Sequence, residues 1–191
     1  MSKILCAQVN KPSGPFSVVE RELPQPGRGQ VRIAVEACGV CRTDSAFVNG
    51  AFPNVPFPLV CGHEIAGRID ALGDDVDGWE VGQRVAVGWF GGHCGNCTAC
   101  REGDFIHCSK IQVPGWAYPG GYAEAVVVPA NALARIPDAF SAVEAAPMGC
   151  AGVATFNALR RSAARPGDLV AVLGIGGLGH LGIQFAAKLG F

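Results

Sequence analysis

The chain has 191 residues, 49% of them hydrophobic and 16% charged, and 15 basic against 16 acidic side chains leave a net charge of −1. This length buries one core and part of another, and a balanced charge with no Lys/Arg run offers nothing to track a phosphate backbone, which excludes nucleic acid as a partner. No apolar stretch reaches the roughly 18 residues that cross a bilayer, and Met1 to Asn10 lacks the apolar core of a secretory signal; this predicts no membrane partner and a cytoplasmic protein whose nine cysteines are thiols or metal ligands.

The 27 glycines and 13 prolines fall mostly before residue 130 and predict a β-rich body with many turns. From Gln30 to Cys38 the sequence alternates, with Val31, Ile33 and Val35 on one side. Similar runs predict strands at Glu64 to Leu72, Val81 to Gly88 and Tyr122 to Pro129.

Between the third and fourth of these runs stand Cys94, Cys97, Cys100 and Cys108. Two C-x2-C steps followed by a later return let four thiolates converge tetrahedrally at about 2.3 Å from zinc. All four vertices are then filled by protein, so this zinc is predicted to be structural. An iron-sulfur run would have its fourth cysteine sooner and a proline after it, where this chain has Ser109. A disulfide pair would need an oxidising compartment. His93 and His107 border a site already complete, and they read as surface or packing groups, as does His180. Cys6, Cys38 and Cys61 read as buried thiols.

A second metal set is dispersed: Cys41 in Gly39-Val-Cys41-Arg-Thr43-Asp44, His63 in Gly62-His63-Glu64, and Cys150 after Pro147-Met-Gly. Three N/S ligands would leave one zinc vertex open, with Asp44 and Glu64 as neighbouring carboxylates and Thr43 as a hydroxyl. Spacing alone does not choose between this reading and two buried thiols with a satisfied core histidine.

Toward the C-terminus, Ser141-Ala-Val-Glu144 is a capping box opening an Ala-rich helical pattern that runs to about Ala164 and bends near Pro147. Arg165 to Asp168 makes a turn. Leu169 to Leu173 is apolar throughout, as in a parallel strand covered on both faces, and Gly174-x-Gly176-Gly177-Leu178-Gly179 leads into a helix closed by Gly190. Such a loop brings backbone N–H groups and a helix N-terminus to a dinucleotide pyrophosphate. The acidic ribose partner about 20 residues on would lie beyond Phe191.

Five motifs in order carry a resemblance: Gly39 to Asp44, Gly62-His63-Glu64-Ile-Ala-Gly67, the four-cysteine lobe, Gly120-Gly121-Tyr122-Ala-Glu124, and Cys150-Ala-Gly152 followed by Gly174 to Gly179. Together they resemble the zinc-dependent alcohol dehydrogenases of the medium-chain dehydrogenase/reductase superfamily, near the yeast-type ethanol dehydrogenases and cinnamyl-alcohol-like reductases. The resemblance spans essentially the whole chain, which represents somewhat more than half of a typical member.

It implies a mixed β and α/β fold, with a GroES-like β-barrel catalytic domain at 1–140, a helical connector carrying a zinc ligand at 141–166, and the first strand and helix of an incomplete Rossmann domain at 167–191. It further implies a catalytic zinc on Cys41, His63 and Cys150 with Glu64 beside it, a structural zinc on the four-cysteine lobe, and NAD or NADP as coenzyme. Thr43 would bond the substrate oxygen and Asp44 would orient His63. Arg42 would join Gly174, Gly176, Gly177, Leu178 and Gly179 at the pyrophosphate, and Phe52, Trp89 and Phe90 would wall the cleft for a small alcohol or aldehyde. One departure is Ala46, where many members carry the histidine that ends a proton relay.

The implied reaction is hydride transfer from a primary or secondary alcohol to NAD(P)+, or its reverse, in a full-length protein that is a homo-oligomer. A polypeptide ending at Phe191 is expected to bind zinc, to lack strong dinucleotide affinity and turnover, and to expose apolar surface where the missing sheet would lie. The rival from another class is a catalytically incompetent zinc-binding fragment or interaction module, which would have no use for the dispersed set. Within the enzymes, the rivals are polyol or threonine dehydrogenases and zinc-free quinone reductases, the last disfavoured by both ligand sets.

Overall fold

A computed structural model describes residues 2–191. It opens on an antiparallel hairpin of β1 (Lys3–Val9) and β2 (Phe16–Glu22), with Val9 opposite Phe16. The hairpin docks through isolated bridges, Cys6 with Ala123 and Val9 with Leu59. The Ala7 N–H donates to the Tyr122 carbonyl at 2.7 Å, and Val9 and Leu59 exchange two bonds of 2.8 Å.

The body is a second antiparallel sheet formed by β3 (Gln30–Cys38), β4 (Ile65–Leu72), β5 (Arg84–Val87), β6 (Ala125–Pro129) and β7 (Ala134–Arg135). Its spatial order is β6-β3-β4-β5-β7, so β3 lies between β4 and β6. Alternation puts Val31 and Ile33 of β3 at zero exposure, against Ile65 and Ile69 of β4, Val85 and Val87 of β5, and Val126 and Val128 of β6. Each such side chain contributes at most about 1.5–3 kcal/mol through burial. A second core of Val9, Phe47, Val48, Leu59, Cys61 and Val113 lies beneath the hairpin, and the candidate site grows from its edge.

Five α-helices complete the described residues: α1 (Arg42–Val48), α2 (Thr98–Arg101), α3 (Ala142–Ala145), α4 (Ala151–Arg161) and α5 (Gly177–Leu189). The capping box at Ser141 is formed, with the Glu144 N–H donating to Ser141 Oγ at 3.3 Å and the Ser141 N–H to Glu144 Oε2 at 2.9 Å. The bend expected near Pro147 is a 3-10 turn, Ala146–Gly149, between α3 and α4. Helices α4 and α5 pack together, with the Phe156 and Phe185 rings 5.6 Å apart.

Four expectations need correction. The five-stranded sheet is open, because its edge strands β6 and β7 do not pair with each other, so no barrel closes among the described residues. Residues 169–173 form no strand, and Leu169 and Leu173 are almost fully exposed. A strand needs a ladder partner, and none of the described residues supplies one there. The run from Val81 to Gly88 contracts to the four residues of β5, since Gly82 and Gln83 belong to the turn that leads into it. The β-rich body also holds α1 and α2, short helices inside loops that read as turns.

Candidate metal centres

The dispersed set converges. Cys41, His63, Glu64 and Cys150 each offer one ligand atom, and these four atoms lie within 4.8 Å of one another. Cys41 is the N-cap of α1, in extended conformation, so its side chain stands at the mouth of the helix beside Asp44. His63 and Glu64 arrive on the segment entering β4, both buried. Gly39 makes room for the carboxylate, because a Cβ there would overlap Glu64 Oε2. Cys150 follows the 3-10 turn that rests on the end of β5, where the Trp89 N–H donates to the Gly149 carbonyl at 3.3 Å.

His63 tests whether these residues fit a metal. Its Nδ1 lies 3.3 Å from Asp44 Oδ1, yet neither ring nitrogen completes a well-formed hydrogen bond among the described residues, and Nε2 has no partner at all. An unsatisfied buried polar atom costs about 1–3 kcal/mol. Two sulfurs, a carboxylate oxygen and an orphaned imidazole nitrogen in one small volume form a donor set suited to zinc.

The electrostatics point the same way. Burial pushes the Cys150 thiol and the Glu64 carboxyl upward, and for Cys150 the acidic Cys41 and Glu64 add to it. Burial also opposes the Cys41 thiolate, but the Thr43 amide and hydroxyl and the His63 ring outweigh it and hold that thiol below its ordinary value. Asp44 and His63 overcome their own burial through each other, the carboxyl falling and the imidazole rising. Four acidic groups around one imidazole, Cys41, Asp44, Glu64 and Cys150, are a charge pattern that a cation relieves.

The second cluster is the four-cysteine lobe, whose ligand atoms also lie within 4.8 Å of one another. All four are free thiols, and Cys94 and Cys108 Sγ are 3.5 Å apart. Tetrahedral Zn–S bonds of about 2.3 Å place sulfurs about 3.8 Å from each other, so the spacing fits. The Cys94 and Lys110 N–H groups donate to Cys108 Sγ at 3.4 and 3.3 Å. The backbone N–H groups of Cys100 and Ser109 hold the Cys97 thiol down to about 6, while burial pushes Cys100 up to about 12.

Phe52 and Trp89 belong to an aromatic group with Phe47 and Trp116. The Trp89 ring meets His63 edge-on at 5.4 Å, and Phe52 lies 5.4 Å from Trp116. Phe90 stands apart from them, stacked at 5.7 Å on His93 and tilted at 6.5 Å to Phe105 on the four-cysteine lobe. Consecutive residues leaving β5 point to different sides, which separates Phe90 from Trp89. Arg42 is exposed at the start of α1. In the glycine loop, Gly176 caps α5, a Cβ on Gly179 would overlap the Gly174 carbonyl oxygen, and Gly177 and Leu178 are exposed.

Sequence reasoning assigned no role to Phe47 or Trp116, and it gave Tyr122 only as part of a motif and as the start of a predicted strand that in the structure begins at Ala125. The Tyr122 hydroxyl donates to Asp44 Oδ2 at 2.9 Å, and the glycine pair before it was the only local signal. Among the described residues no helix is long and apolar enough to cross a membrane.

Residues 27–138 match the family model described as alcohol dehydrogenase GroES-like domain. The chain is 43% identical over 185 residues to alcohol dehydrogenase patD of Aspergillus clavatus, covering 95% of this chain and 46% of that protein. It is 42% identical over 177 residues to an alcohol dehydrogenase of Geobacillus stearothermophilus, covering 92% and 52%. The cobalt- and zinc-bound thermostable alcohol dehydrogenase of Pyrobaculum aerophilum superposes with a TM-score of 0.91 at 34% identity, covering 99% of this chain and 58% of that one. The chain thus spans about half the length of the curated relatives it matches.

Proposed function

This chain belongs to the alcohol dehydrogenase GroES-like domain family, and from that premise we propose that it carries the zinc-bearing part of an NAD(P)-dependent alcohol dehydrogenase. Cys41, His63 and Cys150 would hold the catalytic zinc, with Glu64 beside them, and Cys94, Cys97, Cys100 and Cys108 a structural one. The observation that carries the reading is buried His63, whose ring nitrogens both lack a hydrogen-bond partner among the described residues and one of which lies within 4.8 Å of two thiols and a carboxylate. When bound, zinc supplies Lewis acidity toward the oxygen of an alcohol or carbonyl.

The chain's own residues prepare that oxygen's surroundings. Asp44 faces the His63 ring at Nδ1, which leaves Nε2 for the cluster. Thr43 puts a hydroxyl next to Cys41, where it can accept a hydrogen bond from the substrate hydroxyl. Trp89, against His63, and Phe52 exclude water from one side of the site and favour small apolar substituents. We read residues 167–191 as the opening of a dinucleotide-binding domain, in which Gly174, Gly176, Gly177, Leu178 and Gly179, with Arg42, would meet the pyrophosphate. The net reaction is oxidation of a primary or secondary alcohol with hydride passing to the nicotinamide, or the reverse.

The reading is tested with Co2+ loaded into the dispersed site. Adding a small primary alcohol or aldehyde is expected to shift the visible cobalt spectrum, and the shift is expected to vanish in Cys41→Ser. A spectrum indifferent to both ligands would mean that no vertex is open to substrate, and the catalytic reading would fail.

A further inference from the structure

Asp44 is the most heavily partnered side chain of the dispersed site. Its Oδ2 accepts from the Cys41 N–H at 2.9 Å and from the Tyr122 hydroxyl at 2.9 Å. Its Oδ1 accepts from the Gly62 N–H at 3.2 Å and faces His63 Nδ1 at 3.3 Å. The residue is 3% exposed, so these contacts replace its hydration.

Two of those donors are backbone groups beside the ligands themselves. The third is a side chain from 78 residues away, and its own position is fixed. The Tyr122 N–H donates to the Cys61 carbonyl at 2.9 Å, and its carbonyl accepts from the Ala7 N–H at 2.7 Å. Tyr122 and Asp44 also line one cavity of about 510 Å³ together with Phe16, Val40 and Val48. The phenol therefore competes with water for the carboxylate that faces His63 Nδ1.

A carboxylate whose Oδ2 is held by two donors cannot rotate without breaking both. Its Oδ1 stays aimed at His63 Nδ1 across 3.3 Å, and a ring oriented by that approach turns Nε2 away from Asp44. We infer that Tyr122 is a positioning residue for the Cys41–His63–Cys150 metal site, acting through Asp44 to fix the orientation and tautomer of His63. This inference rests on the reading of that cluster as a metal centre.

Tyr122→Phe tests it, because the substitution removes one oxygen and keeps the ring that lies 6.1 Å from Phe16. Zn2+ affinity is measured by chelator competition on the 191-residue chain, with the four-cysteine lobe as an internal control. The dispersed site is expected to weaken about ten- to hundredfold, as for other groups that orient a metal ligand, while the lobe is unchanged. The Co2+ spectrum of the dispersed site should shift as well. In an Asp44→Ala background, Tyr122→Phe should have no further effect on affinity, which a purely structural role would not produce.

Dispersed-site affinity within about twofold of wild type would overturn the inference, since outer groups of this kind carry more. So would equal losses at both sites, which would make Tyr122 a general folding residue. A wild-type chain that binds zinc only in the lobe would overturn the underlying metal-centre reading too. Two bound zinc ions with an unaffected Tyr122→Phe variant would overturn the positioning role alone.

Discussion

Gly88 and Gly149 meet backbone to backbone: a Cβ on Gly88 would overlap the Gly149 carbonyl oxygen, and one on Gly149 would crowd the Gly88 Cα. This approach seats the 3-10 turn on the end of β5 and delivers Cys150 to Cys41 and His63. Gly88→Ala is therefore expected to displace Cys150. Zinc analysis should show loss of the dispersed metal with the four-cysteine metal retained, and denaturant titration a destabilisation of about 3 kcal/mol, the upper part of the usual overpacking range.

The Ser141 cap offers a test of the segment that carries Cys150. Ser141→Ala should cost about 1 kcal/mol of stability, read from urea unfolding. Glu144 adds a pH signature, because its bonds to Ser141 Oγ and N–H hold its carboxyl below the ordinary glutamate value. A depressed folded-state pKa stabilises above the unfolded value and is lost as pH falls through the folded one. The cost of Ser141→Ala should accordingly shrink below the glutamate range of about 4.3.

Thiol labelling separates ligand cysteines from buried ones. Once metal is stripped, Cys97 should react rapidly with iodoacetamide, its rate rising with pH through about 6, where its thiolate forms. Zinc should protect it. Cys38 and Cys61, pushed up to about 12 by burial, should stay nearly unreactive at neutral pH with or without metal. Mass spectrometry of labelled peptides checks all three.

The parts of this molecule that were legible in the sequence are those governed by local pattern. The bounds of β3 are as expected because its alternation puts Val31 and Ile33 in the core, and the Ser141 cap needs only four residues to specify it. The four-cysteine lobe is equally local. The hairpin of β1 and β2 escaped because both of its faces are mixed: Leu5, Phe16 and Val18 are exposed beside Lys3, Glu20 and Glu22, while Ser17 and Arg21 lie on the inner side of β2, so no polar alternation marks it. Leu169 to Leu173 failed in the opposite sense, since its composition suits a strand but pairing is non-local.

The dispersed site follows the same division. Cys41, His63 and Cys150 come from three distant segments, and only the order of motifs in the resemblance joined them. Even that order gave no role to Tyr122, whose bond to Asp44 spans 78 residues, and it set Phe90 beside Trp89, where the chain turns the two rings apart.

The most direct test of the two-centre account is zinc per chain after purification in metal-free buffer, for wild type, Cys41→Ala and Cys97→Ala. The account requires two equivalents in wild type and the loss of one in each variant, from the dispersed site and the lobe respectively. One equivalent in wild type, lost only with Cys97→Ala, would contradict it and leave Cys41, His63 and Cys150 as neighbours without a metal.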